Sequence, residues 1–370
     1  MSIGSFIYDA LPGRVVFAAG SSRELLAAEV DRLDVHRLLL IATVQERPLA
    51  EELSAVLGDR VVGVFDEVRP HVPNEVAERA RAVAADTRAD ALLSIGGGST
   101  TGTAKIIALT SSPPTLPIIA VPTTYAGSEM TPVWGMTTAS RKETGNDRRV
   151  LPRTVVYDPE LTVSLPAFIT GPSAINAMAH CVEAFYAPGA NPITSLVAEE
   201  GIRAIAQGVP VAVERPEDLG GRSDTLYGAY LAGAAFAVGG SAIHHKICHV
   251  LGGAYDLPHA DLHTVVLPYA TAFNARELPE VSARVARALG ADGTDAAAAI
   301  QALALRIGAP TALRDIGMRE EDLDEATGLV LEKIPADNPR RADARNIRGL
   351  LDDAYTGRLL RADEPATTRS

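Results

Sequence analysis

The sequence is poor in cysteine, in aromatic residues and in long apolar runs, and each shortage excludes a class of protein. Only two cysteines occur, Cys181 and Cys248, so a fold held by disulfides is excluded and a cytoplasmic location is expected. No run of about 18 apolar residues is present, so the sequence predicts no transmembrane helix. The first residues lack the basic start and apolar stretch of a signal peptide.

Positive charge is also scarce, because 34 lysines and arginines face 46 aspartates and glutamates, for a formal net charge of −12. This balance argues against nucleic acid or an anionic membrane as a partner. An anionic substrate would need a local basic pocket. The length of 370 residues and the ordinary hydrophobic content of 47% predict a globular protein of two domains.

The two halves of the chain differ in pattern. Short, continuously apolar runs alternate with helical segments in the first half, which is typical of strands buried on both faces of a parallel sheet. From about residue 166 onward, long Ala- and Leu-rich segments follow one another without a convincing strand. We therefore predict an α/β dinucleotide-binding domain over 1–163 and an all-α domain over 164–370. The predicted strands are Leu38–Ala42, Val61–Phe65, Ala91–Ile95, Ile118–Val121 and Val155–Asp158.

Two loops in the first half are candidates for cofactor binding. The glycine-rich stretch from Gly96 to Ser99 follows a predicted strand and precedes a helical run over Thr103–Leu109. Its backbone N–H groups could approach a phosphate, although a tight strand-to-helix turn is the plain alternative. A second loop, Pro122–Glu129, also follows a strand, and parallel strands place both loops at one sheet edge, which favours a dinucleotide. The strand Leu38–Ala42 ends at Thr43 instead of an acidic residue, so NADH and NADPH both stay possible.

The second half concentrates histidine. The stretch HHKICHVLGGAYDLPHADLH, residues 244–263, contains five of the eight histidines in the chain. Asn176 and His180 are four residues apart, as are His245 and His249, so each pair lies on one helical face. His259 follows on a proline-containing loop. A single histidine is commonly a structural residue, but this number in one stretch predicts a site that binds metal or performs acid–base chemistry.

Three motifs in this order resemble the iron-containing alcohol dehydrogenase superfamily and, within it, the maleylacetate reductases. They are SIGGGSTTGTAKIIAL, VPTTYAGSEMTPVWGMT and HHKICHVLGGAYDLPHADLHTVVLPY. The resemblance covers nearly the whole chain. It implies a homodimer whose active site lies between an α/β and a helical domain. The implied reaction is NAD(P)H-dependent reduction of the carbon–carbon double bond of maleylacetate to 3-oxoadipate, in the degradation of aromatic compounds.

The resemblance also implies roles for individual residues. The implied cofactor-binding residues are Gly96, Gly97, Gly98, Ser99, Thr123, Thr124, Ser128 and Lys142. The catalytic candidates are His245 and His249 first, then His180 and His259. For the dicarboxylate substrate the candidates are Asn176, Lys246 and Tyr125, while Arg148 and Arg149 are better explained as a solvated surface loop.

Metal-dependent relatives hold their ion with an aspartate and three histidines, which match Asn176, His180, His245 and His259. An amide supplies a neutral oxygen where the relatives have a carboxylate, which weakens a site for a hard divalent ion. We therefore expect no metal, although His180, His245 and His259 could still hold zinc. Imidazoles would replace the metal as donors of hydrogen bonds and protons.

Three other functions stay open at this stage. The first is a metal-dependent alcohol dehydrogenase of the same superfamily in which Asn176 is tolerated. The second is a non-catalytic nucleotide-binding protein, which the histidine cluster disfavours. The third is a lyase on the same fold, like dehydroquinate synthase, which matches the motifs less well.

Overall fold

The computed structural model describes residues 5–70, 72–111, 115–138, 141–358 and 360, except for the side chains of Arg141 and Lys142. The chain forms two compact units. The sheet unit is Ala10–Leu165, and the helical unit holds the residues from Pro166 onward with those before Ala10. The domain boundaries 1–163 and 164–370 stay a prediction.

In the described part of the sheet unit, six parallel strands form one sheet in the order β1-β8-β5-β4-β2-β3, and β6 pairs with β7 in an antiparallel hairpin. The strands are β1 (Arg14–Phe17), β2 (Leu38–Ile41), β3 (Val61–Phe65), β4 (Ala91–Gly96), β5 (Ile118–Pro122), β6 (Val133–Thr138), β7 (Arg141–Asn146) and β8 (Thr154–Tyr157). The helices are α1 (Ser21–Glu24), α2 (Leu26–Arg32), α3 (Arg47–Leu57), α4 (Asn74–Asp86) and α5 (Gly98–Thr110).

Both faces of the sheet are covered, which explains why its strands are continuously apolar. Leu38 and Leu40 pack into one hydrophobic cluster with residues of α2 and α3, while Leu39 and Ile41 pack on the opposite side with residues of α4 and α5. Because successive side chains of a strand point to opposite faces, a strand buried on both sides needs an apolar residue at every position. The predicted parallel sheet is confirmed.

The described residues from Pro166 onward form helices and no strands. The helices are α6 (Ala167–Ala184), α7 (Pro192–Glu214), α8 (Leu219–Gly239), α9 (Ile243–Tyr255), α10 (His259–Asn274), α11 (Pro279–Ala288), α12 (Ala296–Arg306), α13 (Leu323–Leu331) and α14 (Ala344–Thr356). A hydrophobic core joins α9, α10, α13 and α14. The predicted helical second half is confirmed.

No single described helix is long and apolar enough to cross a membrane. Among the described helices, α8 and α9 taken together meet that length and composition, with a bend of 100° between them.

Candidate functional site

The glycine-rich loop of the sheet unit joins β4 to α5 through a single residue. Gly96 ends the strand with φ +145°, and a methyl group added there would lie 2.5 Å from Thr100 Oγ1, so only glycine fits. The helix begins at Gly98, so the sequence prediction that placed its start near Thr103 was wrong. No side chain caps this helix terminus, and its backbone N–H groups and dipole suit a phosphate.

The second loop lies beside the glycine-rich loop. The side chain of Thr124 contacts Gly97, where an added methyl group would be 3.0 Å from Thr124 Oγ1. Thr123 is buried, and its hydroxyl donates a hydrogen bond to Glu46 Oε1 at 2.7 Å. Tyr125 is also fully buried, and its hydroxyl donates to Thr162 Oγ1 at 3.1 Å. The structure therefore brings Thr123 and Thr124 to the glycine-rich loop and places Tyr125 in the core of the sheet unit.

Lys105 is a buried cation that sequence reasoning missed. Its ammonium group donates to the carbonyl oxygens of Ser128 and Val133, both at 2.7 Å, and to Thr131 Oγ1 at 3.1 Å. Burial lowers the pKa of Lys105 to about 7. These hydrogen bonds fasten the second loop, including Ser128, to α5. The only signal in the sequence is a lysine inside the apolar run AKIIAL.

Two of the predicted basic residues lie elsewhere in the sheet unit. Arg149 is exposed and binds the Asp147 carboxylate at 2.7 Å, in agreement with the surface-loop interpretation. Lys142 lies in β7, but its side chain is outside the described residues.

The helical unit brings six histidines together. His180 comes from α6, three histidines come from α9, and two come from α10. The distances between ring centroids are 5.0 Å for His180 and His245, 6.0 Å for His245 and His249, 5.0 Å for His245 and His263, 4.8 Å for His244 and His263, and 4.4 Å for His259 and His263. His259 is the first residue of α10, so its predicted loop position was wrong. The predicted convergence of these histidines is present in the fold.

The cluster has a buried part and an exposed part. His180, His244, His245 and His263 are buried, whereas His249 and His259 are exposed. Burial first and then the charge of the neighbouring Lys246 lower the pKa of His245 to about 3. The pKa values of the other three buried histidines also lie well below the ordinary value, first because of burial and then because of the adjacent imidazoles. The buried histidines are therefore neutral at pH 7.

Glu183 is the main residue of this site that the sequence did not reveal. Its side chain is fully buried and accepts hydrogen bonds from the backbone N–H of Ala242 at 2.7 Å and of His244 at 2.5 Å. It also accepts one from His245 Nδ1 at 2.6 Å. Burial raises the pKa of Glu183 to about 7, while hydrogen bonds from the backbone N–H groups of Ala242, His244 and His245 and the charge of Lys246 oppose that rise. Glu183 thus caps the start of α9 and holds the His245 ring.

The hydrogen bond to Glu183 determines the protonation pattern of His245. When Glu183 is ionised it only accepts hydrogen bonds, so the proton of the neutral imidazole then sits on Nδ1. Its Nε2 is then an unprotonated acceptor, and this buried atom has no hydrogen-bond partner among the described residues. A search for carboxylates at helical spacing from Asn176 and His180 would have found Glu183, because residues three, four and seven apart share a face.

The residues that match the metal ligands of relatives differ from that set at Asn176. Asn176 contributes only an amide oxygen, which is buried and lacks a described hydrogen-bond partner. Within the described chain, the one group of potential ligand atoms that lie within 4.8 Å of each other comes from His244, Cys248 and His263. In that group, His244 Nε2 and His263 Nδ1 already hydrogen-bond each other at 2.9 Å. At the matched positions, the neutral amide of Asn176 weakens the fit to a hard divalent ion.

Comparisons with known proteins cover both units. Residues 12–159 match the model of the iron-containing alcohol dehydrogenases, and residues 170–355 match that of the C-terminal region of the same family. A maleylacetate reductase of Burkholderia cepacia is 46% identical over 355 residues, which span 96% of this chain and 99% of that protein. A second relative, maleylacetate reductase 2 of Cupriavidus pinatubonensis, is 48% identical over 358 residues, 96% of this chain and 98% of the relative.

Solved structures agree. A maleylacetate reductase from Rhizobium sp. strain MTP-10005 superposes with a TM-score of 0.90 at 42% identity, covering 95% of this chain and 99% of that one. A putative alcohol dehydrogenase from Ralstonia eutropha JMP134 reaches a TM-score of 0.94 at 52% identity, with 97% and 100% of the two chains covered.

Proposed function

Because the chain belongs to the iron-containing alcohol dehydrogenase family and is an oxidoreductase, we propose that it reduces maleylacetate to 3-oxoadipate without a metal ion. The substrate assignment rests on the maleylacetate reductases it resembles. The observation that carries the metal-free mechanism is the cluster of neutral, buried imidazoles around His245. In this cluster the charged ligand of metal-dependent relatives is replaced by Asn176.

The sheet unit holds the cofactor in this proposal. A bound NADH or NADPH supplies hydride. The uncapped N-terminus of α5 at Gly98 and Ser99 offers backbone N–H groups to the diphosphate, and Gly96 and Gly97 let it approach the backbone closely. Lys105 keeps the neighbouring loop in place through its three short contacts.

The reaction needs an enolate to be stabilised and then protonated. Maleylacetate accepts hydride at the alkene carbon β to its ketone, and the electrons of the double bond move onto the ketone oxygen. A proton added to the α-carbon then restores the ketone and completes 3-oxoadipate. The protein must therefore supply a hydrogen-bond donor to the enolate oxygen and a proton to carbon.

The surroundings of each histidine determine which of these tasks it can perform. The single proton of neutral His245 is engaged by Glu183, so this ring does not donate while it is neutral. We assign proton delivery to His249 and His259, because these two are exposed at the edge of the cluster. His245 orders the cluster, since its ring lies against those of His180, His249 and His263.

The substrate carboxylates need positive partners and hydrogen-bond donors. Lys246 is half-buried on α9, next to His245, and its charge is close enough to lower the pKa of that imidazole. We assign Lys246 to one carboxylate and the amide of Asn176 to hydrogen bonding of the substrate. A homodimer in the cytoplasm remains part of the proposal on the basis of the family resemblance.

The decisive experiment is oxidation of NADH and of NADPH by chelator-treated protein in the presence of maleylacetate. We expect turnover that survives chelation, with 3-oxoadipate identified by mass spectrometry and no stoichiometric metal in elemental analysis. Absence of turnover with both cofactors would contradict the assigned reaction. Loss of activity on chelation, with recovery on adding one metal, would instead support the metal-dependent alcohol dehydrogenase, which should also oxidise simple alcohols.

A further inference from the structure

An acidic side chain reaches the carboxyl edge of the sheet even though β2 is followed by Thr43. Residues Val44–Glu46 form one turn of 3₁₀-helix directly after the strand, and the Glu46 carboxylate turns back toward the strand end. Glu46 Oε2 accepts hydrogen bonds from the backbone N–H of Thr43 at 3.2 Å and from its hydroxyl at 2.7 Å. This capping arrangement holds the carboxylate in one place.

The carboxylate also spans the end of the strand that carries the glycine-rich loop. Thr123, which follows β5, donates a hydrogen bond to Glu46 Oε1 at 2.7 Å. In the sheet β4 lies between β2 and β5, so a side chain bonded to both neighbours lies across the end of β4. A methyl group added to Gly96 would indeed lie 2.6 Å from Glu46 Oε2. A negative charge is thus fixed beside the loop assigned to the cofactor.

The nearest cation along the chain does not compensate this charge. Arg47 follows Glu46 directly, but its guanidinium forms an ion pair with Asp66, the first residue after β3. The ends of β2 and β3 therefore carry two carboxylates and one guanidinium. In dinucleotide-binding folds a carboxylate at this edge accepts a ribose 2′-hydroxyl and repels a 2′-phosphate, whereas an available arginine accommodates that phosphate.

We propose that Glu46 makes this protein select NADH over NADPH. The inference rests on the proposed function only in that a nicotinamide dinucleotide binds at the glycine-rich loop. The negative charge that selects the cofactor then lies on Glu46, five positions beyond the end of β2. The ion pair of Arg47 also favours NADH, since a guanidinium held by Asp66 is not available to a 2′-phosphate.

The test measures binding without substrate. The dissociation constants of NADH and NADPH are determined by nicotinamide fluorescence titration for the wild type, for Glu46→Gln and for Glu51→Gln, an exposed glutamate of α3 as a matched control. We expect the wild type to bind NADH more tightly. Glu46→Gln should reduce the NADH preference about tenfold, mainly by strengthening NADPH binding, because one nearby charge no longer repels the 2′-phosphate. Glu51→Gln should keep the wild-type ratio.

A second variant keeps the proposal testable if Glu46→Gln disturbs the loop. Asp66→Asn releases Arg47 and should also strengthen NADPH binding relative to NADH. Equal affinities of the wild type for both cofactors would overturn the proposal. An unchanged ratio in Glu46→Gln would do the same, and if Glu46→Gln loses both cofactors equally, an unchanged ratio in Asp66→Asn would overturn it. If the protein binds NADH selectively but does not reduce maleylacetate, the substrate assignment fails and the role of Glu46 stands.

Discussion

The sheet unit and the helical unit build their candidate sites from different materials. The sheet unit offers backbone groups, at a strand end where glycine has no side chain and at a helix terminus that no side chain caps. The helical unit offers side chains, with six imidazoles and one carboxylate drawn from three helices. The first site requires that no side chain fills the space beside the backbone N–H groups. The second requires buried polar side chains that hydrogen-bond one another.

This difference predicts different sensitivities to mutation. A backbone site is damaged mainly by added bulk, because peptide N–H groups remain whatever the side chain is. A site of buried polar side chains is damaged by deletion, since each lost partner leaves a neighbour unsatisfied at a cost of about 1–3 kcal/mol. In the helical unit, Glu183 and His245 are such a pair, because both are buried and each hydrogen-bonds the other.

The largest effect is expected from His245→Ala. The variant removes the ring that lies among His180, His249 and His263, and it leaves the buried Glu183 carboxylate without its imidazole. We expect turnover to fall by about 10²-fold, the upper end of the range usual when a residue that orients functional groups is lost, because the ring that orders the proton-delivering His249 is removed. The NADH dissociation constant should change little, because the cofactor is assigned to the sheet unit.

The matched control is His36→Ala, which removes an exposed histidine of the sheet unit. It should leave turnover and cofactor affinity near the wild-type values. A His245→Ala enzyme with normal turnover would remove the histidine cluster from the mechanism. A large loss of NADH affinity in that variant would show that the two units do not divide the work in the proposed way.

Lys105→Met tests the exception to the comparison, a buried lysine side chain that fastens the backbone site. The variant keeps the apolar stem but removes the ammonium donor from the carbonyl oxygens of Ser128 and Val133 and from the hydroxyl of Thr131. We expect the free energy of unfolding in urea to fall by about 2–4 kcal/mol. NADH affinity should fall as the loop loosens, whereas Lys333→Met, at an exposed lysine, should change neither quantity. Unchanged stability of Lys105→Met would contradict the fastening role.

The fold followed from the sequence where burial on both faces left no choice of residue. The apolar runs at Leu38, Val61 and Ile118 became β2, β3 and β5 almost residue for residue. The strand Arg14–Phe17 was missed because it lies at the sheet edge, is only partly buried and therefore lacks that pattern. The start of α5 was missed because three consecutive glycines predict a turn, whereas the third of them opens the helix.

The candidate site followed from the sequence only where spacing within one helix reports a shared face. The pairs Asn176 with His180 and His245 with His249 are of this kind. Glu183 and its imidazole partner are 62 residues apart, so their contact depends on how α6 packs near the start of α9. Glu46 and Thr123 are 77 residues apart and meet through the sheet order. Such tertiary contacts leave no periodic trace in the chain.

The smallest effect on turnover is expected from Glu183→Gln, which is also the most specific test of the histidine cluster. Glutamine keeps the size of the side chain but has a single acceptor oxygen, while Ala242, His244 and His245 present three N–H donors to this position. The new amide N–H₂ therefore opposes at least one of them, and where the amide nitrogen takes the place of Oε2 it faces His245, whose proton then moves to Nε2. We expect turnover to fall by about 10–100-fold, the effect usual when a partner that orients a functional histidine is lost.

Histidine ¹⁵N spectra, assigned with His245→Ala, should report the proton on Nδ1 in the wild type and on Nε2 in the variant. Glu217→Gln, at an exposed glutamate of the helical unit, should alter neither turnover nor spectrum. A Glu183→Gln enzyme that loses stability but retains both turnover and the Nδ1 proton would reduce Glu183 to a helix cap.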